Sequence, residues 1–542
     1  MLDEVIKFLE ELENEAAPIY RDSNLAFFEA SISGRDEDYK KASDLKLQLN
    51  KFFSDRKKFE SLKSYKKLEI SDPVIKRQID LLYYDFASNQ FDENLLEEII
   101  NHSTEIEKKF SVFRAEVQKK ELTDNEIDEI LSESKNEAEL KDVWKASKNI
   151  GELVKDDIVE LVKLRNRSAQ EMGFDNFYEM SLKFSEQDPD ELTLLFDKLN
   201  ELTRNEFESV KEEIDKYLAD RLKIPEEKLM PWHYQDKFFQ HPPEIFDVDL
   251  DQYYENQDLV EITKEYFNSL NLDIDDLLEK SDLFEKEGKY QHAYCVNIDR
   301  NKDVRVVCNI KPNSDWMGTM LHEFGHAVYD KYISSKLPWR LREPAHIFTT
   351  EAIAMLFGRL ASNPGWLFKN GIINFGERKK IAQVSGKIIR TQQLVFSRWV
   401  QVMFRFEKEL YKNPDQDLNE LWWNLVEKYQ RVRKPEGRNK PDWAAKIHIA
   451  LYPAYYHNYM LGELLASQLY FYINRKVLKD NTGLDNGFTG CNDVGNYLKY
   501  LFFSYGALYP HGEMIEKSTG EKLDPKYYAE QFVKPGSKDI QK

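Results

Sequence analysis

Cysteine is nearly absent from this chain: Cys295, Cys308 and Cys491 are the only three among 542 residues. So few, and an odd number, exclude a disulfide framework. A reducing, cytoplasmic setting is the expectation, although Cys295 and Cys308 flank a hairpin candidate and are placed to face each other. No run of about 18 apolar residues occurs, which excludes a helical membrane span. The first stretch, MLDEVIKFLEELENEAAPIY, is acidic and amphipathic and lacks the basic start and apolar core of a secretory signal. Positive charge is in deficit, with 77 Lys and Arg against 97 Asp and Glu, a net charge of −20. That argues against a nucleic-acid partner, which would want a basic face. Histidine is scarce as well, at 10 residues, so a spaced pair of histidines carries information.

What is present is an ordinary globular composition, 41% hydrophobic and 32% charged, long enough for several domains or one large helical body with two lobes. The chain is organised around residues 315–360. Within DWMGTMLHEFGHAVYDKYI, Trp316, Met320, Leu321, Phe324, Ala327 and Val328 recur at helical spacing, and Asn313 or Ser314 can cap the start. His322 and His326 are four apart, so they project from one helix face toward one point. Glu323 is offset by one position, beside a metal rather than on it. His-Glu-x-x-His supplies two zinc ligands and a base for the zinc water. A third ligand must come from elsewhere. Glu351, 25 residues past His326, lies in a second apolar helical run, Thr350 to Leu360, which ends at the breaker SNPGW.

The rest of the chain frames this segment. Residues 1–220 read as nearly continuous helix, with few glycines and with breaks at SGRDED, SDPV, TDNE and QDPDEL, where Asp or Ser can cap the next helix. Residues 224–258 are rich in Pro and aromatics and read as an ordered loop, with His233 and His241 as packing residues. YQHAYCVNI and DVRVVCNI, separated by DRNK, predict a hairpin between 290 and 310. Its open edge can pair with an extended peptide. Trp422 and Trp423 in LWWNLVEKYQ read as core. In WAAKIHIALYPAYYHNYMLGELLASQLYFYI, His448 and Tyr452, Tyr455, Tyr456 and Tyr459 crowd one segment; buried phenols need partners, and a site with developing negative charge provides one. The tail from about 533 is expected to fray.

These motifs together resemble the M2 metallopeptidases, the angiotensin-converting-enzyme-like zinc peptidyl-dipeptidases of the gluzincin type. HAYCVNI, LHEFGHAVYD, LRE, TEAIA, WWNLVEKYQ, AAKIHI and YYHNY occur in that family's order and approximate spacing, most firmly over 265–360 and 420–470. The resemblance implies one zinc ion on His322, His326 and Glu351, with Glu323 as general base and then general acid. It implies that His292 and His448 donate to substrate carbonyls and that Tyr459 stabilises the oxyanion. Lys446 and Tyr456, with Tyr455 as the rival in register, would bind the C-terminal carboxylate, with Gln252 near that group. Ala293 and its neighbours would pair with the peptide backbone.

There are departures. The family's Asp four positions after the ligand glutamate is Met355 here, so the support of the ligand histidines differs. Its Arg between the two tyrosines is Asn458, which removes the expectation of chloride activation. Gln291 replaces the cysteine that precedes the strand histidine. The related M3 oligopeptidases share the motif and the 25-residue spacing; the "HA" on the strand, "LRE", and Lys446 two residues before His448 favour M2. The implied architecture is mainly α: a two-lobed helical body with a deep cleft, a small antiparallel sheet beside the zinc helix, and residues of about 1–100 as lid-like helices over one peptidase domain. The implied activity is hydrolysis of short peptides with release of C-terminal dipeptides. The alternatives are an M3-type oligoendopeptidase and, from another class, a non-catalytic peptide-binding protein on the same scaffold. No membrane or nucleic-acid partner is expected.

Overall fold

Carboxylates and a few polar caps decide where the helices begin. Asp55, Asp72, Asp92, Asp188 and Asp258 each accept from backbone N–H groups of the helix that follows, and Thr123 and Glu126 form a reciprocal capping box. Such caps satisfy donors that the first turn leaves without partners. A computed structural model describes residues 2–246, 248–479 and 487–533; the expected frayed tail lies almost wholly outside them. All four predicted breaks are helix boundaries. At the first, no side chain caps the new helix, and Gly34 turns the chain with φ +67°.

The architecture is mainly α, as expected, with two small antiparallel hairpins among the described residues: β1 (Ala115–Val117) with β2 (Lys120–Leu122), and β3 (Tyr294–Asn297) with β4 (Val304–Val307). The first hairpin interrupts a stretch read from sequence as helix. Its turn residues, Gln118 and Lys119, adopt positive φ of 52° and 69°. Asn-Gly or Asp-Gly would have announced such a turn; Gln-Lys does not. The second hairpin is where it was predicted, but β3 begins at Tyr294, so His292 and Ala293 precede the strand. Cys295 stands opposite Val306 rather than Cys308, and both cysteines are free thiols.

One compact unit comprises Met1–Gln90, Val248–Ser385 and Leu461–Tyr527. In it the long first helix, Leu2–Ser33, buries Phe28 against Ile298 and Val307, with Leu25, Ile32, Tyr294 and Val296 around them. The motif helix, Ser314–Tyr332, is capped by Asn313, which accepts from the Trp316 N–H at 2.9 Å. The helix carrying Glu351 runs Ile347–Gly358 and continues as a 3-10 turn, Arg359–Ser362. These two helices meet through small residues. A Cβ on Gly325 would lie 2.9 Å from the Ala354 Cα, and one on Gly358 would lie 3.4 Å from both the Gly318 carbonyl and the His322 Cβ. Backbone therefore packs on backbone.

The other unit comprises Phe91–Asp247, Gly386–Met460 and Tyr528–Lys542. Its core is aromatic: Trp144 packs on Trp232 and Trp423, and Trp422 on Trp399 and Phe406. Trp422 and Trp423 are core residues, as read. His233 is a packing residue too: its Nδ1 accepts from the Met230 N–H at 2.8 Å and its Nε2 meets Glu137. Buried Arg165 donates to the Ala450 carbonyl at 2.7 Å and to the Tyr411 hydroxyl at 3.1 Å, which ties down the segment preceding Tyr452.

A branched side chain at Gly325 has no room against Ala354. Gly325→Val is expected to destabilise the protein by about 1–3 kcal/mol, the usual cost of overpacking, read as a lower midpoint in urea with an unchanged slope.

Candidate metal centre and peptide site

The close approach at Gly325 and Gly358 brings Glu351 to the two histidines. Glu351 Oε2 lies 3.7 Å from His322 Nε2 and 3.9 Å from His326 Nε2, and three donor atoms, one from each residue, lie within 4.8 Å of one another. Ligands about 2.0–2.1 Å from a tetrahedral zinc are separated by about 3.4 Å, so a small inward adjustment completes the fit. The electrostatics point the same way. Burial lowers His322 to about 4, and burial with the neighbouring His322 lowers His326 to about 3. Both imidazoles are therefore neutral and offer lone pairs. Burial, then the Glu351 charge, raises Glu323 to about 8, and burial raises Glu351 to about 7. Among the described residues no Lys or Arg pairs with either carboxylate. Two buried carboxyls and two neutral imidazoles face one another without a compensating cation among the described residues; a divalent cation would supply that charge and favour the ionised carboxylates.

The sequence left open what supports the ligands in place of the expected Asp. Thr350 Oγ1 lies 2.6 Å from His326 Nδ1 and fixes that ring. Nothing in the sequence pattern distinguished Thr350 from its neighbour Thr349. Met355 instead packs at Gly462, where a Cβ would meet the Met355 Sδ and the Glu351 Cβ at 3.1 Å each.

Beside the donors lies a cavity of about 620 Å³, lined by Ala293, β3, His322, Glu323, His326, Asp330, Glu343 and Glu351 among others. β3 gives it an unpaired edge. The Ile298 N–H donates to the Asp303 carbonyl at 2.7 Å, and in the antiparallel register Tyr294 and Val296 share that orientation toward β4. The peptide groups of Cys295 and Asn297 therefore point the other way. The Asn297 carbonyl is taken by Asn24 Nδ2 at 3.2 Å. His292 is exposed, its ring 5.4 Å from that of Tyr290.

The second predicted group lies in the other unit. Lys446 Nζ donates to Gln240 Oε1 at 2.7 Å and lies over the rings of Trp399, Phe238 and Tyr456 at 5.4–5.7 Å. Burial lowers it to about 8. Trp399 Nε1 donates to the Tyr456 hydroxyl at 2.7 Å, so Tyr456 is the tyrosine at Lys446, while the ring of Tyr455 meets that of Tyr459 at 5.4 Å. His448 packs between Tyr452 and Tyr456, held neutral at about 4 by burial and by Lys446, with its Nδ1 buried and lacking a hydrogen-bond partner. Tyr459 packs edge-on against Tyr456 at 5.4 Å. Gln252 is not part of this group: it is exposed on a 3-10 turn and donates to the Asp249 carbonyl at 2.7 Å. Gln240 is the glutamine at Lys446, twelve positions earlier in the same aromatic-rich loop, and only its contact with a distant lysine reveals it. Asn458 is neutral and engaged, accepting from Gln187 Nε2 at 2.8 Å, while Gln187 Oε1 meets His457. Buried Glu407 accepts from the Ala454 N–H at 2.7 Å and so holds Ala454 at φ +53°.

Comparison with known proteins agrees with this construction. The angiotensin-converting enzyme model of the peptidase M2 family matches residues 2–533. Curated relatives include an inactive angiotensin-converting enzyme-related protein of Caenorhabditis elegans, 25% identical over 30% of this chain and 18% of its own. The angiotensin-converting enzyme of Rattus norvegicus is 26% identical over 35% and 15%. Thermostable carboxypeptidase 1 of Pyrococcus furiosus is 22% identical over 42% and 49%. Each match thus spans less than half of the relative's length. With the family match running through nearly every residue, this chain belongs to the angiotensin-converting enzyme family, peptidase family M2.

Proposed function

We propose that the protein is a zinc metallopeptidase that hydrolyses short peptides and releases C-terminal dipeptides. The observation that carries the reading is the convergence of His322, His326 and Glu351 on one point, with the Glu323 carboxyl buried beside it. Zinc, when bound there, supplies a Lewis acid that polarises a carbonyl and acidifies a water. Glu323 takes the proton from the attacking water and passes it to the leaving amine. The outward-facing peptide groups of Cys295, with Ala293 just before the strand, hold the substrate backbone as an added strand. His292 and His448 donate to substrate carbonyls, and Tyr459 with His448 donates to the developing oxyanion, worth about 3–4 kcal/mol per donor. Lys446, with Gln240 and Tyr456 around it, binds the terminal carboxylate. The helices of about residues 1–100 limit access to short, flexible peptides. Asn458, neutral and hydrogen-bonded, supplies no cation for an anionic activator.

Product masses from a peptide mixture, with and without a chelator, test the reading: dipeptides that disappear on chelation are expected, and intact peptides under both conditions refute it. Glu323→Gln is expected to keep its zinc, measured by metal analysis, and to lose about 10²–10⁴-fold in kcat; near wild-type turnover would remove Glu323 from the mechanism. Converting the substrate's C-terminal carboxylate to an amide should slow cleavage sharply, and equal rates would favour an oligoendopeptidase instead. The pH profile follows from Lys446. Its ammonium is present below about 8 and lost above it, so kcat/KM for free-acid peptides should fall as pH passes 8, while amidated peptides show no such limb.

A further inference from the structure

The cavity beside the metal donors extends along the motif helix to a carboxylate that the chemistry above does not use. Asp330 follows His326 by four residues, as His326 follows His322, so all three lie on one helix face. At 1.5 Å per residue, Asp330 is about 6 Å beyond His326 along the helix axis, about two residues of extended chain. It lines the cavity together with Asn297, Asn24, Tyr20 and Glu343, and the Asn297 side chain hydrogen-bonds it.

The charges around it do not balance. Arg340 donates to Asp85 Oδ1 at 2.8 Å and to Glu343 Oε2 at 2.7 Å, and Arg300 pairs with Glu343 Oε1. The Arg300 guanidinium lies against the rings of Tyr20 and Trp339, at 4.2 and 4.1 Å. Two cations and two carboxylates cancel. Asp330 is left over: no Lys or Arg lies within ion-pair distance among the described residues, Arg300 acts on it only from beyond that distance, and burial, then the Glu343 charge, raises its carboxyl to about 7. The β3 edge leads to the same place. Its open peptide groups end where Asn24 takes the Asn297 carbonyl, and Asn297 is the residue that meets Asp330. A peptide added antiparallel to β3 carries its amino-terminal half toward this closed end.

We infer that Asp330 forms a subsite for a cationic group of the substrate, carried about two residues before the scissile bond, either as a Lys or Arg side chain or as the free N-terminal ammonium. The carboxylate supplies the missing partner, and the Asn297 and Asn24 amides mark the end of the groove. A tetrapeptide with a free amine and a longer peptide with a basic residue at that position both meet this requirement.

This inference rests on the peptidase reading, and its test separates the two. Zinc-loaded full-length protein is given paired peptides that differ only in Arg against Gln two residues before the bond cut, each with a free or acetylated amine. Wild type is expected to prefer the cationic member of a pair by at least tenfold in kcat/KM. The arm that shows the preference, side chain or amine, identifies the source. In Asp330→Asn the ratio should fall to within about twofold, and Asp330→Glu should restore part of it. In parallel, binding of the same peptides to Glu323→Gln, followed by fluorescence anisotropy, should show the same ranking without cleavage. Equal wild-type rates for cationic and neutral peptides overturn the subsite and leave the peptidase reading intact. Cleavage of no peptide, with preserved cationic preference in binding, overturns the peptidase reading and supports the subsite. A preference that survives in folded Asp330→Asn, judged by its thermal melt, also overturns the assignment.

Discussion

The candidate centre depends on how closely two helices approach. Gly325 lies against the Ala354 backbone, and Gly358 against Gly318 and His322. Side chains of ordinary size at these positions would hold the Glu351 helix at the usual 8–10 Å interaxial distance, and its carboxylate would fall short of the imidazoles. The donor set is thus a product of helix packing as much as of ligand identity. The same contact serves stability, because Met320, Leu321, Phe324 and Ala327 of one helix and Ala352, Ile353, Leu356 and Phe357 of the other are buried around it.

Such packing leaves the donors only partly exposed, at the wall of the cavity, which has an electrostatic consequence. Glu323 and Glu351 share a poorly solvated space, and their ionised forms are costly there without a compensating charge. The polypeptide provides none among the described residues. A divalent cation bound there would relieve this unfavourable folded-state interaction. Metal binding would then be coupled to folding through these two carboxylates.

Much of this was legible in the sequence. The four-residue spacing of His322 and His326, the Asn313 cap and the β3–β4 hairpin are all local patterns, set by residues within a turn or two of one another. Glu351 was legible because the breaker at SNPGW bounded its helix. What the sequence did not disclose depends on contacts between distant positions. Thr350 matters only because the second helix faces His326. Gln240 matters only because the loop at 240 returns to Lys446, whereas the family register points to Gln252. Gly325 and Gly358 carry no signal of their own in the sequence; their role follows from the opposing backbone. The β1–β2 hairpin was missed because Gln118 and Lys119 take a conformation that their side chains do not advertise.

An open strand edge is ordinarily a liability, since unpaired N–H and C=O groups template edge-to-edge association with another chain. β3 leaves such an edge, but only four residues long, and Asn24 of the first helix occupies its last carbonyl. The remaining groups open onto a recess lined by carboxylates and imidazoles, where a full strand of a neighbouring sheet has no place to lie. The shortness and cover that would suit this edge to a short peptide would also shield it from edge-to-edge association.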